Sequence, residues 1–115
     1  MIMFRTFLIV SWLTLAGYTA LVVVDHGFNL LPVFFGDMAA MAWPGQFNLD
    51  FLLFLCLSAF WTAWRNGFSA GGLALSVLAF FGGYGFLAPY LLYLSMREPD
   101  AAAILAGVNR RTTAA

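Results

Sequence analysis

Phe34-Phe35-Gly36-Asp37-Met38-Ala39-Ala40-Met41-Ala42-Trp43-Pro44-Gly45-Gln46-Phe47-Asn48-Leu49-Asp50 is the stretch whose reading decides the fold. Two carboxylates, the amides of Gln46 and Asn48, Trp43 and a Pro44-Gly45 pair stand here between long apolar runs. The question is whether the segment from Leu30 to Trp43 crosses a bilayer. Its two Leu, two Phe and one Val contribute roughly −2 kcal/mol to insertion, whereas a central Asp37 costs about +3 kcal/mol. Pro32 and Gly36 weaken the helix further, and the run falls short of the ~20 residues that a crossing requires. Phe34, Phe35, Met38 and Met41 or Ala42 share one helical face. The segment therefore reads as an interfacial or shallow re-entrant helix over about 31–43, with Trp43 at headgroup depth. The alternative is a fourth transmembrane helix.

The rest of the chain is more apolar still. Of 115 residues, 63% are hydrophobic and 9% charged, and a soluble domain needs about a quarter of its residues charged. The mean hydropathy of +0.92 and the long uncharged runs indicate a single membrane domain, 1–115, whose first partner is the lipid bilayer. Five Arg, no Lys, four Asp and one Glu balance to zero, leaving no basic patch for nucleic acid. Cys56 is alone, which excludes a disulfide framework. Arg5 and the apolar run after it resemble a secretory signal. The run is too long for one, and cleavage after Ala20 would put Tyr18 where a small residue is wanted. An uncleaved anchor is expected.

Three spans follow from the hydrophobic pattern, giving an all-α integral membrane protein with three transmembrane helices plus the interfacial helix. The first covers about 3–24. Along it Ser11, Thr14, Tyr18 and Asp25 fall on one face, beside Gly17, as a stripe turned toward other protein. Asp25-His26-Gly27-Phe28-Asn29 ends it with turn formers. The second covers about 47–64, after a break at Pro44-Gly45. Asn48 reads as its cap, Asp50 falls in its first turn, and Arg65 closes it. The third covers about 70–95. Gly72, Ser76, Ala79 and Gly83 make a smooth helix-packing face on it, and Pro89 predicts a kink. A tail, 97–115, holds a short Ala-rich helix.

Arg5 predicts a cytoplasmic N-terminus, and the connection from Asp25 to Asp50 has no Arg or Lys, as an outside loop should. Three spans then send Arg97, Arg110 and Arg111 outside, against the charge rule; four would bring them back.

The motifs Phe34-Phe35-Gly36-Asp37, Trp43-Pro44-Gly45-Gln46-Phe47-Asn48-Leu49-Asp50-Phe51, Trp61 with Trp64-Arg65, and Phe86-Leu87-Ala88-Pro89-Tyr90-Leu91-Leu92-Tyr93-Leu94 resemble small bacterial inner-membrane proteins of unassigned function. The resemblance covers nearly the whole chain. It implies a multi-pass protein of the inner (plasma) membrane with about three spans, and it implies no activity.

Candidate chemistry gathers at one membrane face. Asp25, His26, Asp37, Gln46, Asn48 and Asp50 form the candidate polar cluster. Asp50 is expected to accept from helix-start amides, with His26 or Gln46 as a second partner. One His without Glu or Cys is a poor metal set, so no metal and no cofactor are expected. No Ser or Cys stands by a base, and an enzyme is not expected. Two classes remain: a structural or accessory subunit of a membrane assembly, and a small oligomeric transporter or proton path using Asp50. Both imply contact with further copies or with other membrane proteins.

Overall fold

The computed structural model describes residues 1–109. They form α1 (Ile2–His26), α2 (Leu30–Ala39), α3 (Trp43–Arg65), α4 (Ala70–Gly82), α5 (Tyr84–Arg97) and α6 (Ala101–Ala106). Among the described residues there is no strand. Two helices, α1 and α3, are long and apolar enough to cross a membrane. Only 6% of the apolar window of α1 and 11% of that of α3 is buried inside the chain. The core helix of a soluble protein is covered by its own fold, whereas here Phe7, Leu21, Phe54 and Phe60 all stand exposed.

Two expected boundaries move. The second span begins at Trp43, not near 47, and takes in the Pro44-Gly45 pair. Proline is tolerated in the first turn, where its missing N–H has no helical partner to lose. Pro44 therefore opens α3, and α2 stops earlier, at Ala39. α2 lies against the start of α3. The Asn48 amide donates to the Phe34 carbonyl at 3.1 Å, and Gly45 approaches the Asp37 carbonyl so closely that a Cβ would collide with it.

The expected third span, 70–95, is not one helix, so three full-length spans are not found. It divides at Gly83, whose φ of 54° breaks the ladder between α4 and α5. α4 runs antiparallel to α3. Ser69 caps its start by accepting from the Gly72 amide at 3.1 Å, Ser76 donates to the Ala59 carbonyl at 2.9 Å, Ala79 is fully buried, and Gly83 meets Phe51 and Leu55. The chain then reverses. Tyr90 of α5 stacks on Phe86 and meets the edge of Trp61, back toward the end of α3 from which α4 set out. α4 and α5 are thus the two arms of a helical hairpin.

α1 lies along α5, antiparallel to it. The Arg5 guanidinium donates to the Ser95 hydroxyl at 3.1 Å and to the Ser95 carbonyl at 2.7 Å. The Ser11 and Tyr84 hydroxyls share a hydrogen bond of 2.6 Å. The polar stripe on α1 divides here. Ser11 reaches another helix, Thr14 turns back to the Val10 carbonyl, and Tyr18 and Asp25 are exposed.

The bond from the Trp12 indole N–H to the Gly85 carbonyl, 3.0 Å, has a cause in the sequence. Within α5 the Gly85 carbonyl would ordinarily accept from residue 89. That residue is Pro89, which has no N–H to give. Trp12 supplies the missing donor from the neighbouring helix. We expect Trp12→Phe to cost about 1 kcal/mol and to cost less in a Pro89→Ala background, where α5 caps its own carbonyl. Thermal unfolding in detergent across the four proteins of that cycle measures the coupling. Equal effects in both backgrounds would sink the compensation.

Candidate functional site

The acidic end carries the residues singled out by sequence, and the helices spread them apart. Asp25 and His26 stand exposed at the end of α1. Asp37 is half-buried beside Gly45, and Gln46 is exposed. Asn48 spends its amide on Phe34 and is not a cap, because α3 has already begun. For the same reason Asp50 lies about 10 Å along α3 from Trp43 rather than in its first turn. It is exposed and has no side-chain partner among the described residues. His26 instead borders an open cleft of about 710 Å³ between α1 and α2, walled by Val22, Val23, Leu30 and Val33. Among the described residues no three of His, Cys, Asp and Glu come together. Gly72, Ala79 and Gly83 are buried where α4 meets α3 and the turn before it, with Ser76 half-buried beside them.

The densest polar arrangement lies at the other end, around Arg65. Its sequence position, last in an apolar run, marks only a helix end, and a basic residue there suits the negative pole of the helix dipole. In the fold it is 5% exposed. Its Nε donates to the Ile104 carbonyl at 2.6 Å, one Nη to Glu98 Oε1 at 3.0 Å, and the other approaches the Tyr90 hydroxyl at 3.5 Å. Asn66 donates to the same hydroxyl at 3.0 Å and to the Thr62 carbonyl at 2.8 Å. Three helices and the turn at Glu98 meet on one guanidinium.

The arrangement solves a helix-end problem. α6 is six residues long, too short to hold in isolation. Its start is capped by Asp100, which accepts from the Ala103 amide at 2.9 Å. Its last carbonyls have no helical donors, and α3 provides them: Arg65 for Ile104, and the Trp61 indole for Leu105 at 2.9 Å. α6 returns the service, because the Asn109 amide, just beyond it, donates to the Trp64 carbonyl at 2.6 Å. Under this layer Tyr90, Leu94 and Ile104 form the buried apolar cluster, with Trp61, Leu75, Phe86 and Leu91 against it. A guanidinium engaged in this way by its own chain anchors α5 and α6 to α3.

No protein family matches this chain, and comparison with curated proteins and with solved structures finds no match.

Arg65→Met should destabilise by about 2–3 kcal/mol. It leaves the Ile104 carbonyl and the Glu98 carboxylate without their donor, and water relieves part of that cost because Glu98 is 32% exposed. Glu98→Gln keeps an acceptor and should cost about 1 kcal/mol or less. Thermal unfolding in detergent gives the magnitudes, and protease sensitivity beyond Glu98 reports release of α6. If Arg65→Met matches the parent in both measurements, the anchoring role is wrong.

Proposed function

We propose that this chain is a small multi-pass protein of a bacterial inner membrane, and that it serves as a structural or accessory subunit of a membrane assembly. The apolar, exposed flanks of α1 and α3 support the membrane reading. Arg5, Arg65 and Arg97 gather at one end, Arg97 over the Tyr93 ring at 5.4 Å, and that supports a cytoplasmic N-terminus.

The observation that carries the subunit role is Asp50. It sits within a helix apolar enough to span, about 10 Å from the Trp43 end, exposed and flanked on the same side by Phe47, Phe54 and Leu57, all exposed. A carboxylate costs roughly 2.5–3.5 kcal/mol against lipid at the centre of a membrane helix and less toward its ends, where Asp50 lies. That cost is removed when a neighbouring protein covers the face and offers a hydrogen-bond donor. Asp50 then acts as the polar contact of an otherwise apolar interface.

Purification in mild detergent tests the reading. A stoichiometric membrane-protein partner is expected with the parent chain. Asp50→Leu should release it while leaving the thermal unfolding of the isolated chain within about 1 kcal/mol of the parent. A chain that stays a monomer in mild detergent, with Asp50→Leu indistinguishable from the parent, would overturn the role. A defined homo-oligomer without foreign partners would favour the transporter class instead.

A further inference from the structure

We propose that α4 and α5 form a re-entrant hairpin, entering and leaving the membrane by the Arg65 face without crossing, so that the chain has two spans and Asn109 lies on the same side as Met1. This rests on the membrane reading above and goes beyond it in assigning the side of the C-terminal region and the path of 70–97.

The two ends of the hairpin are pinned to neighbouring residues. Where α4 begins, Gly72 lies against Asn66. Where α5 has ended, Glu98 is paired with Arg65. A segment that crossed the bilayer would separate these ends by ~30 Å of hydrocarbon. Each arm is also too short to cross, with 13 residues in α4 and 14 in α5, or about 20 Å of helix apiece. The tip stops part-way. It touches α1 at Ser11 and Trp12 and α3 at Phe51 and Leu55. Beyond those contacts α1 continues about 20 Å to His26 and α3 about 12 Å to Trp43.

Broken backbone at membrane depth is tolerated only where protein or a cavity surrounds it. Gly83, where the helix breaks, is buried. The Gly83 amide donates to the Ala79 carbonyl at 3.1 Å, and the Gly83 carbonyl accepts from the Phe86 and Leu87 amides. Ser11 holds the Tyr84 hydroxyl, and Trp12 satisfies the carbonyl that Pro89 leaves open. Gly83 suits this position, since its φ of 54° with ψ of −136° is a conformation that a residue with a Cβ adopts only under strain, and a Cβ there would crowd the Phe51 ring.

The hairpin also removes the conflict in the charge pattern. A third crossing would place Arg97 opposite Arg5. The hairpin returns α5 beside the N-terminus, where Arg5 bonds Ser95, and Asn109, the last described residue, bonds Trp64 at that end. Every described Arg then lies on one face, as the positive-inside rule asks.

The test uses the full chain in sealed membrane vesicles of known orientation, with Cys56→Ala as background and one new cysteine at a time: Ile2→Cys, Asn29→Cys, Phe81→Cys or Ala102→Cys. A membrane-impermeant maleimide should label positions 2 and 102 from the same side and position 29 from the opposite side. Phe81→Cys, at the tip, should label from neither side before detergent is added. Labelling of position 102 together with 29 would overturn the hairpin and restore a third crossing. Rapid labelling of position 81 from the side of position 29 would overturn it equally. Extraction of the parent chain by alkaline carbonate is a separate outcome: it would remove the membrane reading itself.

Discussion

A charged guanidinium held inside an apolar molecule is the constraint on which the Arg65 end depends. Burying it demands acceptors in fixed places, and the fold supplies three from different segments: the Ile104 carbonyl, the Glu98 carboxylate and the Tyr90 hydroxyl. Two of them lie beyond α5, in segments with little of their own to hold them: α6 is too short to persist alone, and the turn at Glu98 has no hydrophobic content. The third, the Tyr90 hydroxyl, also accepts from Asn66. One buried side chain therefore helps to fix where the chain goes after α5, together with the Trp61 and Asn109 bonds.

The opposite end of the hairpin is governed by backbone chemistry. Helices suit lipid because they satisfy their own N–H and C=O groups, and both Gly83 and Pro89 break that self-sufficiency. The defects sit within six residues of each other in α5 and its cap, and both are repaired locally. Gly83 places its amide on the end of α4, and Trp12 reaches across from α1 to the carbonyl stranded by Pro89. One of the polar contacts between α1 and α5 is thus a consequence of Pro89, beside the Ser11–Tyr84 and Arg5–Ser95 bonds, which join the same two helices for reasons of their own.

The two ends of the molecule divide the polar residues by role. At the Arg65 end, polar atoms satisfy one another. At the other end Asp25, His26, Gln46 and Asp50 are exposed, and Asn48 is committed to an internal bond. The buried arginine is committed inside the fold, whereas Asp50 stands exposed on α3.

Composition and hydrophobic run length by themselves determined the helical class, the apolar character and the existence of α1 and α3, because those follow from local periodicity and from apolar runs that hold no charge between Arg5 and Asp25 and only Asp50 between Trp43 and Trp64. The start of α3 was not, since Pro44-Gly45 serves equally to end one helix or to open the next, and only the contact of Gly45 with the Asp37 backbone selects the second. Asp50 was misplaced along α3 as a direct result. Nor was the division of 70–95 legible. Gly82, Gly83 and Gly85 permit a reversal but do not require it, and apolar run length cannot distinguish one long helix from two short ones folded back. Arg65 was visible only as a helix end, because its partners lie 25, 33 and 39 residues later. Tertiary structure decided that it is buried, since an ion pair and two hydrogen bonds at such separations exist only once the hairpin has brought their elements together.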